Sequence, residues 1–383
     1  MNIRESLMRI MVIADKEWIQ IRRDTRSLIL SLFVPSMLVL LFGYALNVDV
    51  KNISIGVYDQ DKGAFARSYV EKFAHTEYLR IEEYIKRYSD IDYLIDSGKI
   101  VMALVIPPDF EKSFRSGKPA DVQVLVDGSD STSATIATGY VKAITYEFNS
   151  ALLSRELRKR GVSDIAFPVD VRSRIWYNPE LESKNFIIPG LIVLILAIIS
   201  ALITSLTISR EWERGTMETL ITTPVRGFEV VLGKLVPYLF IGIFDVVVGL
   251  SIGYFAFGVP FKGNFAELCL ISLLFLVGTS SLGILISAAT RVQVLSVQIA
   301  IVATYLPSFI LSNFIFPIRS MPFVIQGITY IVPAKYLITV LKAIALKGVG
   351  YSLLWTQIIF LTIFCLVVLA LSVRKFKVVL PGK

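Results

Sequence analysis

The sequence predicts an α-helical polytopic membrane protein, with six transmembrane helices plus a mixed α/β extracytoplasmic domain between the first two. Three observations carry that reading. Of 383 residues, 54% are hydrophobic and only 18% charged, and the mean hydropathy is +0.65; soluble chains hold roughly a quarter charged residues. The apolar residues come in long uncharged runs instead of the scatter of a soluble core. One polar block, residues 48–185, interrupts the series.

Charge and residue counts exclude several classes. The formal net charge of +8 is no nucleic-acid signal, because residues 48–185 hold 19 Lys/Arg against 21 Asp/Glu. The excess therefore sits at the edges of the apolar runs, where membrane topology places it. Cys269 and Cys365 both lie in apolar runs, so they build neither a disulfide framework nor a metal site. His75 is the single histidine and reads as a solvated surface residue. No metal and no cofactor is expected in this chain.

Residues 1–26 read as a cytoplasmic amphipathic helix, with Ile3, Leu7, Ile10, Ala14, Trp18 and Ile21 on one stripe among basic residues. Such a helix suits the membrane–water boundary or a partner's surface. The first span is Leu28–Leu46, uncharged and close to the ~20 residues a bilayer needs. No A-x-A-like cleavage site follows, so it reads as a retained anchor. In the block after it, Ile53–Tyr58, Ile100–Ile106 and Val122–Val126 look like strands, and Val169–Tyr177 like a returning one. Helices are expected at Ala64–Ala74, Ile91–Ser97 and Ser131–Arg160, the last about 45 Å long at 1.5 Å per residue. Five more runs follow: Phe186–Ile208, Leu235–Phe257, Leu268–Thr290, Val292–Phe316 and Tyr351–Val373, with Asp245 the one charge inside them. Residues 317–350 are apolar but broken by Pro322, Gly327 and Pro333, which suggests outer re-entrant or surface helices.

Six spans put both termini on one side with the loops 209–234 and 291; those parts hold 15 Lys/Arg, against five in the short loops opposite. The positive-inside rule then places the termini in the cytoplasm, residues 374–383 as a cytoplasmic tail, and the α/β block outside.

The chain lacks G-x-x-x-x-G-K-[ST], so it has no P-loop of its own, and one histidine cannot make H-E-x-x-H. Asp127–Thr132 fails the calcium-loop spacing and reads as a strand-to-helix turn, with Asp130 or Ser131 as N-cap. Asp245 is either a hydrogen-bonding helix contact or part of a substrate pathway. Gln298 and Asn313 are the other notable polar residues of the spans and join it as pathway candidates.

Loop 209–234 is the most informative segment. A charged helix end, Arg210, Glu211 and Glu213, leads to Gly215 and a short helix, expected to be capped by Thr216 and to end before Pro224. Met217, Leu220 and Ile221 share one face, fit to lie on the bilayer or in another protein's groove, and Glu218 suits the helix dipole.

This loop resembles the signature of type 2 ABC exporter permeases: R-E-x-E-x-G-T-x-E, here Arg210, Glu211, Glu213, Gly215, Thr216 and Glu218, then Thr223-Pro224, then Gly233-Lys234. Asp127-Gly128-Ser129-Asp130, Ile106-Pro107-Pro108-Asp109-Phe110 and Tyr177–Leu181 with Pro189-Gly190 are similar to the subfamily with a large outer domain. So is the stretch from Phe316-Pro317-Ile318 through Met321-Pro322 to Leu346-Lys347-Gly348. The resemblance implies a permease subunit of the bacterial inner membrane, exporting drugs, lipids or similar amphipathic molecules. It implies that a separate cytosolic ATPase binds ATP and Mg and is coupled through Arg210, Glu211, Glu213, Gly215, Thr216, Met217, Glu218, Leu220 and Ile221. A second permease, identical or a paralogue, would complete the pathway, and some relatives add a periplasmic adaptor and an outer-membrane channel. An ion-coupled secondary transporter, or a membrane-anchored sensor or scaffold using the outer domain, are the rival readings.

Overall fold

The computed structural model describes residues 3–46, 52–76, 78–116, 118–159, 177–178 and 182–379. The chain divides into a helical unit, Met1–Asn47 with Arg174–Lys383, and a second unit, Val48–Ser173.

The helical unit opens with α1 (Ile3–Arg23), followed by α2 (Thr25–Leu28), a π-helical turn (Ile29–Phe33) and α3 (Val34–Ala45). The expected stripe of α1 is split. Of its residues Ile21 is buried, whereas Leu7 and Trp18 are exposed with Met8, Met11, Val12 and Ile19; Ile13, outside that stripe, is buried as well. The inner face is polar in part because Ser6 and Glu17 on it are satisfied by other helices, which residue type alone does not reveal. The first apolar run is continuously helical over Thr25–Ala45, but the π turn interrupts its α geometry.

The second unit is a four-stranded sheet of order β2-β1-β3-β4, made by β1 (Ile53–Asp59), β2 (Leu79–Tyr84), β3 (Met102–Ile106) and β4 (Gln123–Val126). β1 pairs in parallel with β2 and β3, and β4 runs antiparallel to β3. Its helices are α4 (Ala64–Ala74), α5 (Asp90–Asp96), α6 (Phe110–Arg115) and α7 (Ser131–Lys159). Strand period two sorts the core. Met102, Leu104 and Ile106 pack with α4 and α7, while Ala103 and Val105 pack with Ile91 and Leu94 of α5. Burial on both faces explains why β3 is an unbroken apolar run. The turn before α7 is built by Asp127, whose Oδ1 accepts from Ser129 N at 2.9 Å, and Asp130, whose carboxylate accepts from Ser133 Oγ. Strand β2 escapes the sequence reading, and the expected strand at 169–177 lies outside the described residues except for Tyr177.

The helical unit resumes with α8 (Lys184–Glu213), α9 (Thr216–Thr222), α10 (Gly227–Phe255), α11 (Phe265–Thr290) and α12 (Gln293–Ile310). It closes with α13 (Phe323–Ile328), α14 (Pro333–Lys347) and α15 (Trp355–Val379). Among the described residues, five helices are long and apolar enough to cross a membrane, namely α8, α10, α11, α12 and α15. The first apolar helix, Ser31–Ala45, is shorter. Phe323–Ile331 and Pro333–Lys347 form a pair bent by 81°, with Pro333 setting the break.

Several ends differ from the charge-based expectation. α8 continues past Ile208 to Glu213, α10 starts at Gly227 instead of 235, and α15 runs past Val373. In each case a charged terminal residue has a partner, or an apolar one such as Phe376 is buried, so the helix carries its charges inside its own length. α12 stops at Ile310, short of Phe316, where Asn313 takes a left-handed backbone with φ 65°.

α8 lies at the centre of this unit, packed by α3, α10, α11, α12 and α14. From Phe186 to Ile199 it is apolar on every side, as suits a helix surrounded by other helices. Its hydroxyls are bonded within the helix: Thr204 to Ser200 O at 2.7 Å, Thr207 to Thr204 O at 2.8 Å, and Ser209 to Ser205 O at 3.0 Å. Across to α11, Ser200 donates to Thr279 Oγ1 at 2.8 Å, and Ser287 Oγ accepts from Ser209 N at 2.9 Å. Gly283 makes this approach possible, since a Cβ there would collide with the Ala201 carbonyl and Thr204; small residues play this part wherever membrane helices touch closely. Gly283→Ala is therefore expected to destabilise the chain by about 1–3 kcal/mol through overpacking. Thermal unfolding in detergent reads it, with Gly327→Ala, where a Cβ meets nothing within 4 Å, as the neutral comparison.

Candidate functional site

The turn from α8 through α9 into α10 begins with Gly215. Its left-handed backbone, φ 72°, ends α8 and starts α9 in a single residue, which glycine adopts without strain. This corrects the expected Thr216 cap. Thr216 is already helical, and its hydroxyl reaches back to Glu211 O at 3.4 Å.

The apolar face of α9 is turned inward. Met217 is fully buried with Ile13 of α1, Ile208 of α8, Val230, Val231 and Leu235 of α10, and Phe376 of α15. Leu220 and Ile221 pack against the same cluster. Met217 is therefore covered by the chain itself, while Leu220 and Ile221 are half-buried. Glu218, Thr219, Thr222 and Thr223 make the exposed face.

Beneath this cluster lies a buried ionic triad. Lys234 is 1% exposed, with its Nζ 2.5 Å from Glu17 Oε1 and 3.0 Å from Glu211 Oε1. Glu211 also takes Lys16 Nζ at 2.6 Å. The residue before the lysine lets the helices meet, because a Cβ on Gly233 would press on Ile13 and the Ile10 carbonyl. A second anchor joins the first turns of α1 and α10. Glu229 accepts from Ser6 Oγ at 2.5 Å and from Arg226 N at 2.8 Å, while Arg9 bonds Pro224 O at 2.7 Å.

The end of α8 is also tied sideways. Arg210 pairs with Asp24 at 3.2 Å. Glu213 accepts from Gln293 N at 2.7 Å and from its side-chain amide, and the Arg291 guanidinium lies 4.6 Å over the Trp212 ring. The α11–α12 turn, where Arg291 has a left-handed φ of 60°, is thus fastened to α8. Of the residues singled out in this loop, Arg210, Glu211, Glu213 and Met217 all make internal contacts.

A model of the ABC-2 family of transporter proteins matches residues 26–374. The chain belongs to that family. It is 35% identical over 375 residues to the probable multidrug ABC transporter permease YbhS of Escherichia coli K12, covering 97% of each chain. To the probable multidrug ABC transporter permease YbhR of that strain it is 28% identical, over 89% of this chain and 92% of YbhR. It is also 27% identical to ABC transporter G family member 20 of Dictyostelium discoideum, over 91% of this chain but 48% of that one.

In this ABC-2 chain the three pathway candidates do not meet in one site. Asp245 is 6% exposed on α10, beside a small cavity with Ser200 and Tyr238, and its Oδ1 has no hydrogen-bond partner among the described residues. Gln298 is exposed on α12. Asn313 is exposed in the turn beyond α12, where its Oδ1 accepts from Ile318 N at 3.2 Å. Sequence reasoning does not find Lys16, Glu17 and Glu229, because charge on a helical segment carries no sign of a distant ion partner. Removing the cation of the triad strands Glu17, buried without its ion partner, while Glu211 keeps Lys16; stranding a buried charge costs about 3–5 kcal/mol in comparable cases. Lys234→Met is expected to lower thermal stability on that scale, and Lys234→Met with Glu17→Leu to recover part of it; equal stability of wild type and the single variant would refute the coupling.

Proposed function

We propose that this chain is the membrane-spanning permease subunit of an ATP-driven exporter, moving a hydrophobic or amphipathic substrate out of the cytoplasm with energy from a separate ATPase. The observation that carries the reading is α9. A seven-residue helix is held from beneath by a cluster contributed by α1, α8, α10 and α15, and presents a polar face outward. A force applied to that face reaches α8 through Gly215 and reaches α1 and α10 through the apolar cluster around Met217, with the ionic triad tying those three helices together. The lack of a P-loop in the sequence and the permease names of the relatives support the same reading, with ATP and Mg held by the partner.

The partner ATPase would seat on Glu218, Thr219 and Thr222 of α9, with Arg210, Glu211, Glu213 and Met217 holding that helix in place. A second permease subunit would complete the pathway, with Gln298 on the outward face of α12 near it and Asp245 and Asn313 contributing at separate depths. An adaptor and an outer-membrane channel would act beyond the α/β unit. In this proposal both termini are cytoplasmic, residues 48–185 are extracytoplasmic, and the host membrane is the bacterial inner membrane.

Glu218→Lys with Thr219→Lys is expected to abolish stimulation of the co-purified ATPase by substrate while leaving insertion and thermal stability unchanged. Unaltered stimulation would refute the docking face. Sidedness is read on a chain with Cys269→Ser and Cys365→Ser: a cysteine at Lys86 should label from outside intact cells, and one at Glu218 only after the inner membrane is breached. Labelling of both from one side would overturn the topology.

A further inference from the structure

Next to the triad, α1 and the end of α8 border an open cleft of about 900 Å3. Lys16, Arg23, Arg210 and Arg214 line it against one carboxylate, Asp24. Lys16 is engaged by Glu211, and Arg210 by Asp24. Arg23 and Arg214 are exposed, and neither guanidinium has a partner among the described residues. The cleft thus holds more cationic charge than its own acid neutralises.

Its position in the chain adds the second half of the argument. Thr25 opens the first apolar stretch, Arg210 and Arg214 close α8, and Gln293 opens α12, and all four line the cleft. It therefore lies where three membrane elements meet the aqueous boundary. Ile19 and Leu206 give it apolar wall. The same helix leaves Trp18 at 41% and Ile19 at 51% exposure, in line with Met8, Met11 and Val12. Amphipathic helices with that pattern lie in the headgroup region. Planar guanidiniums fit phosphate oxygens in pairs, and basic groups at this depth attract anionic lipid.

We propose that the cleft binds the phosphate headgroup of an anionic phospholipid, between Arg23 and Arg214, with its acyl chains along Ile19 and Leu206. The lipid would bridge α1, α8 and α12 across a gap that the protein's own ion pairs leave open. The site rests on the membrane boundary alone; the topology proposed above adds that the lipid belongs to the cytoplasmic leaflet.

The test uses the full chain in nanodiscs of phosphatidylcholine with phosphatidylglycerol, extracted into detergent and assayed for retained lipid by mass spectrometry. The wild type should retain phosphatidylglycerol over phosphatidylcholine, and raised salt should erode that preference. Arg23→Gln with Arg214→Gln should weaken retention roughly 30-fold, from about 1 kcal/mol for each cation near an anionic surface. Arg23→Lys with Arg214→Lys should keep much of it, and Lys86→Gln with Lys142→Gln in the α/β unit should leave it unchanged. Equal retention in the double Gln variant overturns the proposal. Displacement by an equal concentration of inorganic phosphate overturns the lipid assignment in favour of a soluble anion. Loss of ATPase co-purification in the double Gln variant with lipid retention intact would make the cleft a protein surface instead. Because retention is measured with neither ATPase nor transport present, its failure leaves the exporter reading untouched, and failure of that reading leaves the lipid result standing.

Discussion

An ammonium withdrawn from water loses several kcal/mol of hydration, and so does each carboxylate brought to meet it. Lys234, Glu17 and Glu211 accept that loss at one point, where α1, α8 and α10 converge. Such a triad adds little net stability over an apolar substitute, but it tolerates only one register. A shift of α1 by one residue along α10 would take Glu17 away from Lys234 and leave its carboxylate buried without that partner. Gly233 fixes the approach distance and Lys234 the alignment, so the adjacent glycine and lysine act as one device. The hydrophobic seat of α9, with Ile13 from α1 and Val230 and Leu235 from α10, exists only while that alignment holds.

The two faces of α9 therefore divide the work. The inner face determines where the helix stands, and the outer face determines what it can meet. Its exposed hydroxyls and Glu218 offer hydrogen bonds and charge. Recognition through such a surface is sensitive to geometry more than to buried area.

The uncharged runs mark the membrane helices well, because a bilayer penalises charge along the whole length of a span. Their ends are poorly marked. Arg210 and Glu211 in the last turns of α8, and Lys234 in the second turn of α10, look like flanking loop charges but belong to helix. Their partners lie far away in sequence, 195 residues for Lys16 with Glu211 and 217 for Glu17 with Lys234, and nothing local announces the pairing. In the α/β unit, Ala64–Ala74 and the start at Ser131 are legible from periodicity and turn chemistry. β2 is not, because Arg80, Glu82 and Glu83 give an edge strand the look of a loop, as charges on exposed edges commonly do. The position of α9 is legible from Gly215 and Pro224, but the direction of its apolar face is not, since periodicity defines a face without naming what covers it. Asp245, Gln298 and Asn313 share only their polar character within apolar runs, and residue type carries no information on distance.

The hydroxyls of α8 bear on how the chain is made. α8 precedes α10, α11, α12 and α14 in synthesis, so it meets lipid before it meets most of the helices that later surround it. Lipid offers a hydroxyl nothing to bond. Thr204, Thr207 and Ser209 already donate to carbonyls of their own helix, so their donors need no partner during that interval. The arrival of α11 then replaces hydrocarbon with Thr279, Gly283 and Ser287, and the central helix of the unit passes from one apolar solvent to another without ever exposing an unsatisfied hydroxyl donor at these positions.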